Sequence, residues 1–315
     1  MILGGDVGGT KTNLALCDDT GTVVREATFA AKDYDSLEAI VRQFTEGERV
    51  LAACFGVAGP VDHGTAKITN LPWMIRAEAL ATVLGGAPVS LLNDLQATAL
   101  GALVIPESSF ETLQHGVVPE RSTIGVIAPG PGLGEATLYH DGTAYQALPS
   151  EGGHADFAPT TDEQVELWRY LHARYDGHVS VERVLSGNGI ADLYAFAAKG
   201  EARTYPGDRN AAIAAAGLSR VDPAATRALE LFAEILGAEC GNLALRTMAT
   251  GGVVIGGGIP PKILAMLQRG PLLERFAAKG RFATWLRTLS VRVVLDPKAA
   301  LLGAAHHAAN LKDSR

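Results

Sequence analysis

Ile2-Leu-Gly-Gly-Asp6-Val-Gly-Gly-Thr10-Lys-Thr-Asn13-Leu-Ala-Leu-Cys17 carries the reading of the fold. Two apolar runs flank a Gly-rich centre, so the segment reads as strand, turn, strand. Asp18-Asp-Thr-Gly21 then marks a hairpin, and Thr22-Val-Val-Arg-Glu-Ala-Thr-Phe29 a third strand. The Walker and dinucleotide-binding loops both run from a strand into a helix, whereas this Gly loop lies between two strands. No Gly-Lys dipeptide occurs anywhere in the chain, which excludes a Walker A loop. Further on, Leu37, Ile40, Val41 and Phe44 predict a helix over residues 36–47, and Val50 to Val57 a buried strand. A helix near 76–83, a strand from Val89 to Leu92 and a helix from Asp94 to Leu103 follow. The order β-β-β-α-β-α-β-α predicts α/β layers around a mixed sheet.

Ile105-Pro-Glu-Ser-Ser109 is an exit from that unit, and a comparable pattern then begins. Thr123 to Ala128, the turn Pro129-Gly-Pro-Gly-Leu-Gly134, Ala136 to Tyr139, Asp141-Gly142 and Ala144 to Leu148 repeat the sequence strand, Gly turn, strand, hairpin, strand. The repetition hints at two similarly built halves. Helical patterns follow over 161–173, 180–198, 209–217 and 223–248, with strands at Val253 to Ile255 and Val291 to Leu295 and an Ala-rich closing helix from about 298.

Composition narrows the class. The chain has 315 residues, 47% of them apolar and 19% charged, enough for two domains of ordinary size. A net charge of −7 argues against a broad surface for nucleic acid or anionic lipid. The start has neither a basic stretch nor an apolar core of a leader, and no apolar run reaches spanning length, so the expectation is a soluble, untargeted protein. Cys17, Cys54 and Cys240 are widely spaced among apolar residues, which predicts buried reduced thiols and a cytoplasmic setting.

Several polar positions stand out. Gly8 and Gly9 would let backbone N–H groups approach phosphate oxygens, Thr10 and Thr12 would add hydroxyls, and Asp6 would hold a hydrated Mg²⁺; the alternative is a plain hairpin turn with a solvated Asp. Gly130-Pro-Gly132-Leu-Gly134 occupies the matching place in the second half. Gly251 to Gly258, followed by Pro260 and Pro261, suits either an adenosine lying on bare backbone or a tight strand-to-helix turn. Asn93-Asp94 reads as an N-cap, or as a carboxylate at the carboxyl end of a strand, where α/β sheets place ligands and where it would accept a hydroxyl proton. Glu151-Gly-Gly-His154 and Glu182, with an Asn amide, can satisfy the vicinal hydroxyls of a sugar; a metal site drawing on His178 and Glu182 is the competing reading. Asp156 and Arg183 read as a structural ion pair or cap, and His306 and His307 as a solvated face.

Taken together, the segments resemble the bacterial glucokinase family of the actin, heat-shock ATPase and sugar kinase superfamily. The resemblance runs through Gly5-Asp6-Val-Gly-Gly-Thr10, Gly59-Pro-Val-Asp62, Thr69-Asn-Leu-Pro-Trp73, Leu92-Asn-Asp94, Gly130 to Gly134, Leu148 to Pro159, Glu182-Arg-Val-Leu-Ser-Gly187, Gly241-Asn-Leu-Ala-Leu245 and Gly256-Gly-Gly-Ile-Pro260. It implies a two-domain actin-like ATPase (ribonuclease H-like) α/β fold, with a cleft between a small domain of 1–104 plus 298–315 and a large domain of 105–297. It implies ATP-dependent phosphorylation of D-glucose, with ATP and Mg²⁺, no nucleic-acid or membrane partner, and a homodimer. Asp94 resembles the general base; Asn93, Asp94, Glu151, His154 and Glu182 the sugar ligands. Asp6, Gly8, Gly9 and Thr10 resemble one phosphate segment, Gly130, Gly132 and Gly134 the other, and Gly256, Gly257 and Gly258 the adenosine segment. A sugar-sensing protein without transfer, or a kinase for another hexose or donor, is the alternative. The related family of repressors and kinases carries a Cys-rich zinc motif after its Glu-x-Gly-His, and here no cysteine lies between Cys54 and Cys240. Pro131 departs from the family's Thr, and Glu135 adds a negative charge unfavourable to a triphosphate unless it faces solvent or pairs with a base.

Overall fold

The computed structural model describes residues 1–68 and 71–313, so Thr69 and Asn70 of the Thr69 to Trp73 segment lie outside the described residues. The chain forms two compact units: Met1–Ser109 with Tyr145–Pro149 and the stretch from Asp296 onward, and Phe110–Ala144 with Ser150–Leu295.

In the first unit β1 (Ile2–Val7), β2 (Lys11–Cys17), β3 (Val23–Ala30), β4 (Ala52–Val57) and β8 (Val89–Asn93) form a sheet of order β3-β2-β1-β4-β8. β1 runs antiparallel to β2 and parallel to β4, and β4 runs parallel to β8. β4 is buried along its whole length, as a central strand covered on both faces must be, while edge strand β3 is largely open. Ser36 caps α1 (Leu37–Phe44), whose Leu37, Ile40, Val41 and Phe44 enter the core. α2 (Ala77–Val83) and α3 (Asp94–Gly101) follow. A small sheet of β5 (Val61–Asp62), β6 (Thr65–Lys67) and β7 (Met74–Arg76), too short to show a period in sequence, was not anticipated.

The closing helix, Ala299–Asp313, packs on α3, β1 and β4. A Cβ on Gly101 would stand 1.9 Å from Ala299 O, and one on Gly303 1.9 Å from Ala97 O. The bare backbone at these two positions is what lets the helices touch. His306 and His307, expected on a solvated face, are half-buried there, and burial lowers both pKa values.

The second unit is built on β9 (Phe110–Gln114), β10 (Ile124–Pro129), β11 (Leu133–His140), β13 (Val253–Ile255) and β14 (Val291–Val294), in the order β11-β10-β13-β14-β9. β12 (Tyr145–Ser150) follows β11 in the chain. Around the sheet lie α4 (Asp162–Arg174), α5 (Gly187–Ala197), α6 (Arg209–Leu218), α7 (Pro223–Thr247), α8 (Leu264–Arg269), α9 (Leu272–Ala277) and α10 (Ala283–Leu286). α7, 25 residues long, is the centre of this core, burying Leu229, Phe232, Leu236 and Leu243. Buried Asp222 caps it, accepting from Ala224 N and Ala225 N and from the hydroxyls of Tyr194 and Tyr205 at 2.8 and 2.7 Å. The single helix expected over 180–198 is instead a short turn, Val181–Arg183, and then α5, capped by Ser186. The chain doubles back there, so that a Cβ on Gly189 would meet Val184 C at 2.6 Å. Cys17, Cys54 and Cys240 are buried free thiols, and among the described residues no helix is long and apolar enough to cross a membrane.

Candidate functional site

In the first unit, parallel β1, β4 and β8 end level, with Val7 opposite Val57 and Val57 opposite Asn93. Their carboxyl ends therefore bring Asp6 beside Asn93 and Asp94. Asn93 caps α3 in a reciprocal box: its Oδ1 accepts from Gln96 N at 2.7 Å, and Gln96 Oε1 accepts from Asn93 N at 3.1 Å. Its amide NH₂ is left as the group able to meet a ligand. Gln96 is itself held by donating to Ala147 O at 2.8 Å. Asp94 reaches solvent, and its Oδ1 accepts from Leu95 N at 2.9 Å. The dense protein around it raises its pKa by desolvation; repulsion from Asp6 adds to this, and the Leu95 N–H opposes it. Asp6 is shifted up in the same way, chiefly by burial, against the hydrogen bond from Asn13 Nδ2 at 3.0 Å.

The turn after β1 is tighter than its motif implies. Gly8 N–H donates to Lys11 O at 3.0 Å, which removes it from any phosphate, while Gly9 is half-buried and Thr10 exposed. Thr12 is wholly buried, so its hydroxyl cannot serve as a ligand donor.

In the second unit, the segment after Glu151 runs antiparallel to that before Glu182: Phe157 N donates to Val179 O at 2.8 Å and Val181 N to Ala155 O at 2.9 Å, around an Asp156–Ser180 bridge. This sets the turn Gly152–His154 against the turn Val181–Arg183. Glu151 and His154 are exposed, 3.9 Å apart, and Glu182 is half-buried. Glu182 Oε2 accepts from Leu133 N at 2.9 Å, and a Cβ on Gly132 would stand 2.5 Å from it. One carboxylate thus joins the Glu151–His154 cluster to the glycine segment.

Two of the three glycine segments meet. Gly256 N donates to Ile127 O at 2.8 Å, Gly187 N to Gly130 O at 2.9 Å, and Gly130 N to Gly132 O at 2.8 Å across Pro131. Gly257, at φ +87°, lies so close to Pro129 O that a Cβ would stand 2.3 Å from it. Between Gly130, Pro131, Gly187, Asn188, Gly258 and Lys262 opens a cleft of about 400 Å³. Ile190, Ala214 and Ile259 give it apolar walls and Asn210 a polar edge, the mixture that suits a purine and its phosphates. Gly134 is paired with Ala128 inside the ladder and Gly256 is buried, so both belong to the frame rather than the cleft. Asn188, Asn210 and Lys262 escaped sequence reasoning; no local motif marks them.

The remaining polar positions divide. Asp156 pairs with His178 at 3.4 Å, and Arg183 stacks over Tyr175 at 4.0 Å. Among the described residues no three His, Cys, Asp or Glu side chains are grouped to hold a metal. Glu135 is buried and turned to Arg246, 3.1 Å away.

Comparisons with known proteins give the family. A family model described as Glucokinase matches residues 3–311. A glucokinase of Nostoc punctiforme is 37% identical over 342 residues, covering 99% of each chain. A solved glucokinase from an Antarctic psychrotroph superposes with a TM-score of 0.89 at 31% identity, over 98% of each chain. A glucokinase of Balamuthia mandrillaris, solved in complex with glucose, gives 0.81 at 22% identity, over 98% of this chain and 93% of that one. The fold is the actin-like two-domain α/β fold of these kinases. Matched by the family model over nearly its whole length, and by a relative more than a third identical end to end, the chain belongs to the glucokinase family.

Proposed function

We propose that this protein transfers the γ-phosphoryl group of ATP to the 6-hydroxyl of D-glucose. The observation that carries the reading is Glu182: its turn packs against the turn that carries Glu151 and His154, a set able to bind hydroxyls, and its carboxylate accepts from Leu133 N in the adjoining glycine segment. In this reading Asn93, Asp94, Glu151, His154 and Glu182 bind the sugar, and the cleft lined by Gly130 and Gly258, with Gly132 and Gly257 in its flanking turns, takes the nucleotide. Asp94 accepts the proton of the attacking hydroxyl. Leu95 N–H fixes one of its oxygens and leaves the other for the substrate, and the raised pKa makes it a stronger base than an ordinary carboxylate. Asp6, oriented by Asn13, is the residue fit to hold Mg²⁺ through water. Mg²⁺ bound there would neutralise phosphate charge. Gly9 and Thr10 of the first turn contribute backbone donors to the phosphates, and Lys262 a cation. The reading includes the two domains anticipated from sequence, a homodimer and a cytoplasmic setting, the last supported by three buried free thiols. A coupled assay over a panel of hexoses and phosphoryl donors tests it: turnover with glucose and ATP is expected. Glucose binding without transfer to any hexose would make the protein a sensor.

A further inference from the structure

Glu135 follows the glycine segment on β11 and is 1% exposed. Its Oε2 lies 3.1 Å from Arg246 Nη2, and the same guanidinium nitrogen serves Glu239 Oε1, so two buried carboxylates share one cation. Glu239 is also held by Asn242 Nδ2 at 2.9 Å, and Asn242 in turn accepts from Lys279 Nζ at 2.6 Å. Glu135 Oε1 is buried without a partner among the described residues. Above this cluster lies the Glu151–His154 turn. A Cβ on Gly152 would fall 2.3 Å from Glu135 Oε2, and one on Gly153 2.2 Å from Leu133 O, so the two glycines of Glu151-Gly-Gly-His154 let the turn rest directly on β11. Ser150 ties the same point twice, donating to Glu135 O at 3.0 Å and accepting from Gly152 N at 3.2 Å.

We propose that Glu135 is a positioning residue for sugar recognition: wedged under Gly152 and anchored to Arg246 and Glu239 of α7, its carboxyl sets the height of the turn that presents Glu151 and His154. The inference rests on the reading of those two residues as sugar ligands. A structural filler would be apolar at such a depth, because a buried carboxylate facing another costs far more than a hydrocarbon of the same volume. The groups facing Glu135 are Glu239 and Arg246 on α7, with the Cys240 thiol beside them, Lys279 behind Asn242, and Glu151 and His154 on the outer side of the turn. Burial first, then repulsion from Glu239 exceeding the attraction of Arg246, pushes the Glu135 pKa up to about 7. Below that pH Glu135 holds a proton taken from solvent; above it the proton returns to solvent, adding a carboxylate charge beneath the turn.

The test is glucose affinity by calorimetry and steady-state kinetics on the full chain. Glu135→Ala is expected to weaken glucose about 10- to 100-fold, the scale of one or two displaced sugar hydrogen bonds, with kcat and the KM for ATP nearly unchanged. Glu135→Gln keeps the shape and the bond to Arg246, so it is expected to bind glucose normally at about pH 6 and to lack the parent's weakening above about pH 7. Gly152→Ala should weaken glucose in the parent and less in the Glu135→Ala background, where the carboxyl atoms at 2.3 and 2.8 Å are gone and the Cβ of residue 135, at 3.2 Å, is the neighbour that remains. An unchanged glucose KM in Glu135→Ala, or a Glu135→Gln pH profile identical to the parent's, overturns the proposal; if Glu135→Ala does not fold, the Glu135→Gln profile decides alone. Glu151→Ala separates the levels. If it leaves glucose binding intact, the sugar-ligand reading falls and this inference with it. If it weakens glucose while the Glu135 variants do not, this inference alone falls.

Discussion

Glu182→Ala is the most informative perturbation, because the carboxylate proposed to bind the sugar also holds the backbone of the glycine segment. Its Oε2 accepts from Leu133 N at 2.9 Å, a charge-assisted bond in a half-buried setting, worth about 1.5–3 kcal/mol. Deleting it frees the start of β11 and loosens the Gly130–Gly132 turn that borders the nucleotide cleft. The sugar loses a hydroxyl partner as well, at about 1–3 kcal/mol. At about 1.4 kcal/mol per decade, the glucose KM should rise about 10- to 100-fold and the ATP KM about tenfold. The comparator is Glu151→Ala, whose exposed carboxylate touches no part of the glycine segment and which should move the glucose KM alone. Glu182→Gln retains an oxygen able to accept from Leu133 N, and should recover the ATP KM before the glucose KM. Gly132→Ala, whose Cβ would stand 2.5 Å from Oε2, should act like a mild Glu182→Ala. The assay is steady-state kinetics with each substrate varied at saturating levels of the other. If Glu182→Ala and Glu151→Ala give the same glucose-only defect, the coupling of sugar cluster to glycine segment is refuted; if glucose is unaffected by Glu182→Ala, its role as a sugar ligand is refuted too.

Asp94→Asn is expected to lower kcat by at least about 100-fold with glucose binding retained, since the amide hydrogen-bonds but takes no proton; near-normal kcat in the variant would remove Asp94 from the chemistry. Pro131→Thr adds an N–H and a hydroxyl at the exposed rim of the cleft, and should raise kcat/KM for ATP by up to about 10- to 100-fold in steady-state kinetics; no gain would show that this position does not grip phosphate. Asp222→Ala removes the cap of α7 and leaves two tyrosine hydroxyls without their acceptor, a loss of about 3 kcal/mol measurable by denaturant titration. Glu135 takes up its proton more readily in the folded chain, its pKa rising from 4.5 to about 7, so its contribution to stability is full below about 4.5 and lost as pH rises through about 7. The Tm measured across that window should fall in the parent more than in Glu135→Gln.

Much of the fold could be read from local pattern. The β1–β2 hairpin follows from a Gly loop between two apolar runs, α1 from an apolar stripe, and Asp94 at the end of β8 from a strand that stops at an Asn cap. Each signal lies within a few residues of its consequence, where propensity, capping and periodicity act. β5, β6, β7 and β9 left no such trace, because they are short and mix polar with apolar residues, whereas the equally short β13 and β14 are marked by β-branched apolar residues. The break at Ser186 lies in Ser186-Gly-Asn-Gly189, a turn signal between two helical patterns, and the close packing of Gly189 on Val184 shows why the chain needs glycine there.

At the site the division is sharper. The identities of the polar residues were legible because their chemistry is carried in short motifs, but their employment was decided by partners far away in the chain. Gly8 N–H is bound within its own hairpin, Gly134 is absorbed in a ladder, and Glu182 holds Leu133, 49 positions earlier. Glu135 read as a charge unfavourable to a triphosphate unless it faced solvent or paired with a base; packing pairs it with Arg246, 111 positions on, and places it under Gly152. Asn188, Asn210 and Lys262 share a cleft only because α5, α6 and the turn after β13 converge on Gly130. A sequence specifies which groups can donate, accept or ionise; which of them remain free is settled by long-range packing, since a buried polar group must find a partner wherever the folded chain brings one within reach.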